Sequence, residues 1–144
     1  MLGCCYAGCS IAEYQAAWPG SASFQRDLMT RLLDGVRDSV AKTTLGMSAG
    51  LPRLKLLIET YLEANLARQA LRELVLRLRT DTAGIVIVRS RIAGFALMLE
   101  MELKALRWPH AKASARLLTA AIVEIAQAEH EGGRAAPQLR ASLF

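Results

Sequence analysis

The sequence predicts an all-α chain on three observations. Helical periodicity runs along almost its whole length, β-branched residues rarely cluster, and no hairpin dipeptide separates alternating apolar runs. Its 144 residues fit the size of one domain, and 53% hydrophobic residues supply ample material for a core, which argues against disorder.

Ser10 is placed to cap a short helix, about residues 10–18, that Pro19-Gly20 ends, and Ser21 or Ser23 to cap the next. In that next helix Phe24, Leu28, Leu32, Val36 and Val40 form an i+4 ladder, one buried stripe over about five turns. TTLGMSAG, residues 43–50, reads as a connector, and Pro52 suits the first turn of a third helix. That helix carries Leu54, Leu57, Ile58, Tyr61 and Leu62 on one face and fades near Asn65. A shorter one turns Leu71, Leu74, Val75 and Leu78 inward and Arg68, Arg72, Arg77 and Arg79 outward, before Thr80-Asp81 supplies a cap.

Residues 82–107 read as one long helix, with Ile85, Val88, Ile92, Phe95, Leu99 and Leu106 on a face and Gly84 and Gly94 as soft points. Val86-Ile87-Val88 carries a strand signal, but the run is short and continues into helix-forming FALMLEMELKAL. Trp108-Pro109 breaks the helix. Pro109 at the first helical position opens another that ends at Gly132-Gly133, and Pro137 opens a short last one, QLRASLF.

Charge and chemistry exclude several classes. The net charge of +5 is spread unevenly: residues 1–50 hold four basic and four acidic side chains, 51–100 eight and five, 101–144 six and four. The excess therefore lies away from the opening stretch, the wrong place for a basic DNA footprint. Cys4, Cys5 and Cys9 are clustered and odd in number, so no disulfide framework is expected, and His110 and His130 are too remote to complete a metal site with them. The start lacks the basic and apolar regions of a secretory signal, and the apolar window at residues 85–99 is interrupted by Arg89 and Arg91 and followed by Glu100 and Glu102, too charged for a membrane span. The expectation is a cytoplasmic protein without a membrane partner. No Glu-x-x-His pair, HExxH, P-loop or GxGxxG occurs, so neither an enzyme nor a cofactor is expected. Both histidines fall at predicted helix ends, which suggests capping or surface roles.

Two stretches carry a resemblance. AGCSIAEYQAAWPGSASFQRDL, from Ala7, offers a turn with Ala7-Gly8, the capping Ser10, a short helix ending in Trp18, a Pro19-Gly20 link and a second helix from about Ser23. RLLTAAIVEIAQAEHEGGRAAPQLRASLF ends the chain. In this order they resemble the recognition helix and linker helix, and the penultimate helix and final turn, of TetR-family transcriptional regulators. The resemblance implies an all-α, TetR-like C-terminal bundle for ligand binding and dimerisation, residues 23–144, preceded by part of a helix-turn-helix, residues 1–22. Six residues before Ala7 hold only the last turn or so of the family's second helix, so the head is expected to be a fragment.

The resemblance assigns DNA-facing positions to Ser10, Ile11, Glu13, Tyr14, Gln15 and Ser21. Gln15 stands where members often place a phosphate-contacting aromatic, Ser21 where a lysine often opens the linker helix, and Glu13 where a small hydroxyl residue is usual. Glu13 repels phosphates, the main source of affinity, while Tyr14 and Trp18 match packing positions. The implied ligand cavity, for a small apolar or amphipathic molecule, lies near Tyr61, Asn65, Arg91, Phe95 and Met98. A homodimer is implied through the helix over residues 109–131, by Ala113, Leu117, Ala121, Ile125 and Ala128, with the helix over 138–144 pairing beside it. Leu118, Ile122 and Ile125 form a second stripe facing the chain's own core. DNA is a partner only if an upstream head is present. The alternative is a headless helical module that binds a small molecule or a partner, dimerises and leaves DNA alone.

Overall fold

The structure, a computed structural model, describes residues 22–144. They form six α-helices and no strand: α1 (Ala22–Thr44), α2 (Leu51–Ala67), α3 (Gln69–Arg77), α4 (Thr82–Ala105), α5 (Ala111–Gly132) and α6 (Pro137–Ala141).

The boundaries reflect local chemistry. α1 gives way to a turn where Gly46 adopts φ +80°, and Pro52 occupies the first turn of α2. Asp81 caps α4 by accepting from the Gly84 N–H at 2.8 Å, and its carboxylate also receives Arg26 of α1 at 3.3 Å. Gly133, at φ +69°, ends α5 in the left-handed conformation. One boundary corrects the expectation. α5 begins at Ala111 rather than at Pro109, because Arg107 and His110 both take positive φ and Pro109 lies in the turn between them.

Two apolar clusters make the core. One gathers Leu57, Ile58 and Leu62 of α2, Phe95, Leu99 and Leu103 of α4, and Ala115, Ile122 and Ile125 of α5. The other joins Leu28, Met29, Leu32 and Val36 of α1 to Leu71, Leu74 and Leu78 around α3. Tyr61 packs against both. The α1 ladder is buried from Leu28 to Val40, but Phe24 is half exposed and Gln25 and Met29 turn inward instead. Steps of four residues drift around a 3.6-residue helix, so a five-step ladder does not stay on one face.

Ion pairs tie the clusters together. Glu102 of α4 receives Arg53 through two bonds, of 2.6 and 3.0 Å, while Arg53 also donates to the Met47 carbonyl at 2.7 Å. Buried Glu129 of α5 receives Arg140 of α6 at 2.6 and 2.9 Å and the Ala136 N–H at 3.0 Å, and Arg140 reaches Glu63 of α2 as well. The last helix is thus fastened to its own chain. Two arginines assigned to the outer face also turn inward: Arg68 donates to the Ala64 carbonyl at 2.7 Å and lies over Gly35, and Arg72 donates to the Leu66 carbonyl. At the α2–α3 junction these side chains satisfy carbonyls that the broken helix leaves without partners.

α4 packs along α5 but leaves much of its own surface uncovered. By length and composition it is apolar enough to cross a membrane, despite its arginines. Arg91 pairs with Asp34 of α1 and fixes the helix against the bundle.

Candidate ligand cavity

Five helices converge around a cavity of about 290 Å³, at the lower edge of the usual range for small-molecule sites. Met29 and Leu33 come from α1, Tyr61 and Asn65 from α2, and Val75 and Leu76 from α3. Ile85, Val88 and Ile92 form one wall from α4, and Val123, Ala126 and His130 another from α5, each row at helical spacing. Arg79, Arg89, Gln127 and Glu131 stand at its polar edge.

Three of the five residues expected near a ligand line this space: Tyr61, Asn65 and Arg91. Asn65 is buried and donates to the Tyr61 carbonyl at 2.8 Å. Burial raises the Tyr61 phenol above its ordinary pKa, against an opposing hydrogen bond with Asn65. Arg91 is half-buried and paired with Asp34, so its charge is already met. Phe95 is not in the lining. It stacks on Tyr61 with ring centroids 4.3 Å apart and supports that wall from behind. Met98 packs against the core cluster instead of the cavity. Ser10, Ile11, Glu13, Tyr14, Gln15 and Ser21, with the helix expected at 10–18, lie outside the described residues.

His130 corrects its expected surface role. It is 7% exposed, lines the cavity, and holds its Nδ1 buried with no hydrogen-bond partner. Burial first, and then the Arg72 cation, push its pKa down to about 4 against the pull of Glu129, so the ring is neutral at neutral pH. Its position in the last turn before Gly132-Gly133 suggests an exposed end, but the ring turns inward and lines the cavity with residues of α1 to α4. The usable signal is the row Val123, Ala126, Gln127 and His130, which continues the inward face of α5.

The residues expected at a dimer interface divide. Ala113, Leu117 and Ala121 are exposed and Ala128 is half-buried, but Ile125 is buried in the chain's own core, which corrects its place in the outer stripe. Beside them α4 exposes Val86, Leu97 and Met101. Leu117 also borders a wider groove of about 900 Å³ with Leu51, Trp108 and Phe144, where Lys55 lies 5.3 Å from the Phe144 ring centre.

Among the described residues no group of three or more His, Cys, Asp or Glu side chains is assembled to hold a metal ion. No protein-family model, curated protein or solved structure matches the chain.

Proposed function

We propose that this chain is the ligand-sensing and dimerising region of a TetR-like transcriptional regulator of the cytoplasm, with impaired DNA binding. The observation that carries the sensing half is the five-helix cavity, a mostly apolar space with a few convergent polar groups, one of them a buried imidazole nitrogen without a partner. Dimerisation is supported by the outward rows of α4 and α5. Leu117 is 75% exposed, Met101 64%, Val86 61% and Leu97 58%, on two neighbouring helices whose intervening positions are rich in Ala. Small side chains let a second pair of helices approach closely. The impaired DNA contact rests on Glu13, Gln15 and Ser21, where the resemblance expects phosphate-seeking or neutral groups.

Size-exclusion chromatography with light scattering tests the assembly: a dimer is expected at micromolar concentration, and a clean monomer overturns it. Only weak, sequence-independent DNA binding is expected, so a nanomolar, sequence-selective shift at physiological salt overturns the reading of the opening stretch.

A further inference from the structure

The cavity is polar at one end. α4 and α5 are joined by a tight turn and run antiparallel, so residues 85–89 stand opposite 127–131. This register gathers Arg89, His130 and Glu131 near the start of α4, where Leu78 closes on Gly84 and Arg79 joins the lining. Tyr61, Ile92 and Val123 lie toward the other end, where Asn65 and Arg91 are already met by the Tyr61 carbonyl and Asp34.

The charges at the polar end do not cancel. Arg79 and Arg89 are exposed at the rim, where Glu131 is the one carboxylate in the lining and receives Gln127 at 3.4 Å. Beside them His130 lines the cavity, and its Nδ1 is buried without a partner and reaches the open space only when the ring turns. A buried polar atom in that state favours a ligand that completes its hydrogen bond. The space, about 290 Å³, has room for about ten water-sized groups at roughly 30 Å³ each.

Resting on the ligand-binding reading above, we infer that the cavity takes a small amphipathic carboxylic acid. Its carboxylate accepts hydrogen bonds from His130 and the rim arginines, and its apolar body lies toward Tyr61. The excess of arginine selects the anion over a neutral or cationic molecule of the same length, and a charge-assisted bond at His130 adds to that selection.

Calorimetric titration of the intact chain with octanoate, octanol and octylammonium tests this. Octanoate is expected to bind about tenfold tighter than octanol, and octylammonium not to bind. Replacing both rim arginines, by Arg79→Gln and Arg89→Gln, weakens octanoate severalfold, flattens its salt dependence and leaves octanol unchanged. His130→Phe, which has no donor, weakens octanoate about tenfold, and His130→Gln, which keeps an N–H, restores most of the loss. If His130→Phe does not fold, the arginine variants and the charge series on the unaltered chain decide alone. Equal binding of all three probes overturns the carboxylate inference and leaves the cavity a ligand site. Failure of all three at millimolar concentration overturns the ligand-binding reading with it.

Discussion

The same two helices build opposite ends of the bundle in opposite ways. Where the second half of α4 meets the first half of α5, Phe95, Leu99 and Leu103 pack in one cluster with Ala115 and Ile122. Where the first half of α4 meets the second half of α5, only Gly84 of the α4 row is buried, and Ile85, Val88 and Ile92 stand half-buried around a cavity. Both ends bury polar groups: Glu102, met by Arg53, and Thr119 at the closed end, and Asn65, Glu129 and His130 at the open end. A cavity lowers packing density, so the helices around it need other fastening, and the Glu129–Arg140 pair supplies it.

The largest effect is therefore expected at the open end. Glu129→Ala strands the Ala136 N–H and leaves Arg140 with Glu63 alone, and is expected to destabilise the chain by about 3 kcal/mol, measured by urea unfolding. A cost below about 1 kcal/mol would mean that α6 contributes little and that the comparison of the two ends is wrong. Leu99→Ala at the closed end, where the side chain is fully buried, comes close to it at about 3 kcal/mol. Val88→Ala, on the cavity wall, is expected to cost about 1 kcal/mol because part of that side chain already faces open space. Equal losses for Leu99 and Val88 would show the cavity to be closed in solution.

Acid sharpens the same contrast. The His130 imidazole titrates at about 4 in the folded chain, below its ordinary 6.5, chiefly because burial disfavours the charged ring. The unfolded chain takes the proton first. The stability this provides is complete above the unfolded pKa and is lost as pH falls toward the folded one, on the order of 2 kcal/mol by pH 5. Unfolding free energies at pH 7 and pH 5 are expected to fall further in the parent chain than in His130→Gln. An identical pH dependence in the two proteins would place the imidazole in water.

How much of this was legible in the sequence divides along the same line. Helix existence, the Asp81 cap, the Gly133 stop and the closed-end stripe of Phe95 and Leu99 could be read directly, because periodicity and capping are local properties. The open end depends on groups far apart in the chain. His130 is buried where α5 packs on the earlier helices, Arg72 turns inward because α2 breaks at Ala67, and Phe95 is kept from the cavity by stacking on Tyr61. Ile125 belonged to two stripes at once, and only the packing of α2 and α4 decides which one it serves. Val86, Leu97 and Met101 were visible as apolar residues outside the predicted stripe of their helix, a sign of a helix apolar on more than one side.

The smallest expected effects separate two glycines of α4. At Gly84 an added Cβ meets the Leu78 Cβ at 3.1 Å, the Leu78 carbonyl at 3.2 Å and the capping Asp81 carboxylate at 3.2 Å, so two of its three neighbours are backbone-fixed and cannot retreat cheaply. At Gly94 the added Cβ meets nothing within 4 Å. Gly84→Ala is expected to destabilise by about 1 kcal/mol through the α3–α4 junction that shapes the polar end of the cavity. Gly94→Ala is expected to stabilise the folded chain by about 0.7 kcal/mol, since alanine loses less backbone freedom in a helix interior. Gly94 also lies on the outward row with Leu97 and Met101. If a second copy approaches there, the gain appears at low protein concentration and shrinks or reverses when the dimer is populated, because the added methyl holds the helices apart. A gain in melting temperature that is the same at every concentration would remove Gly94 from the interface while leaving its helix-propensity argument intact.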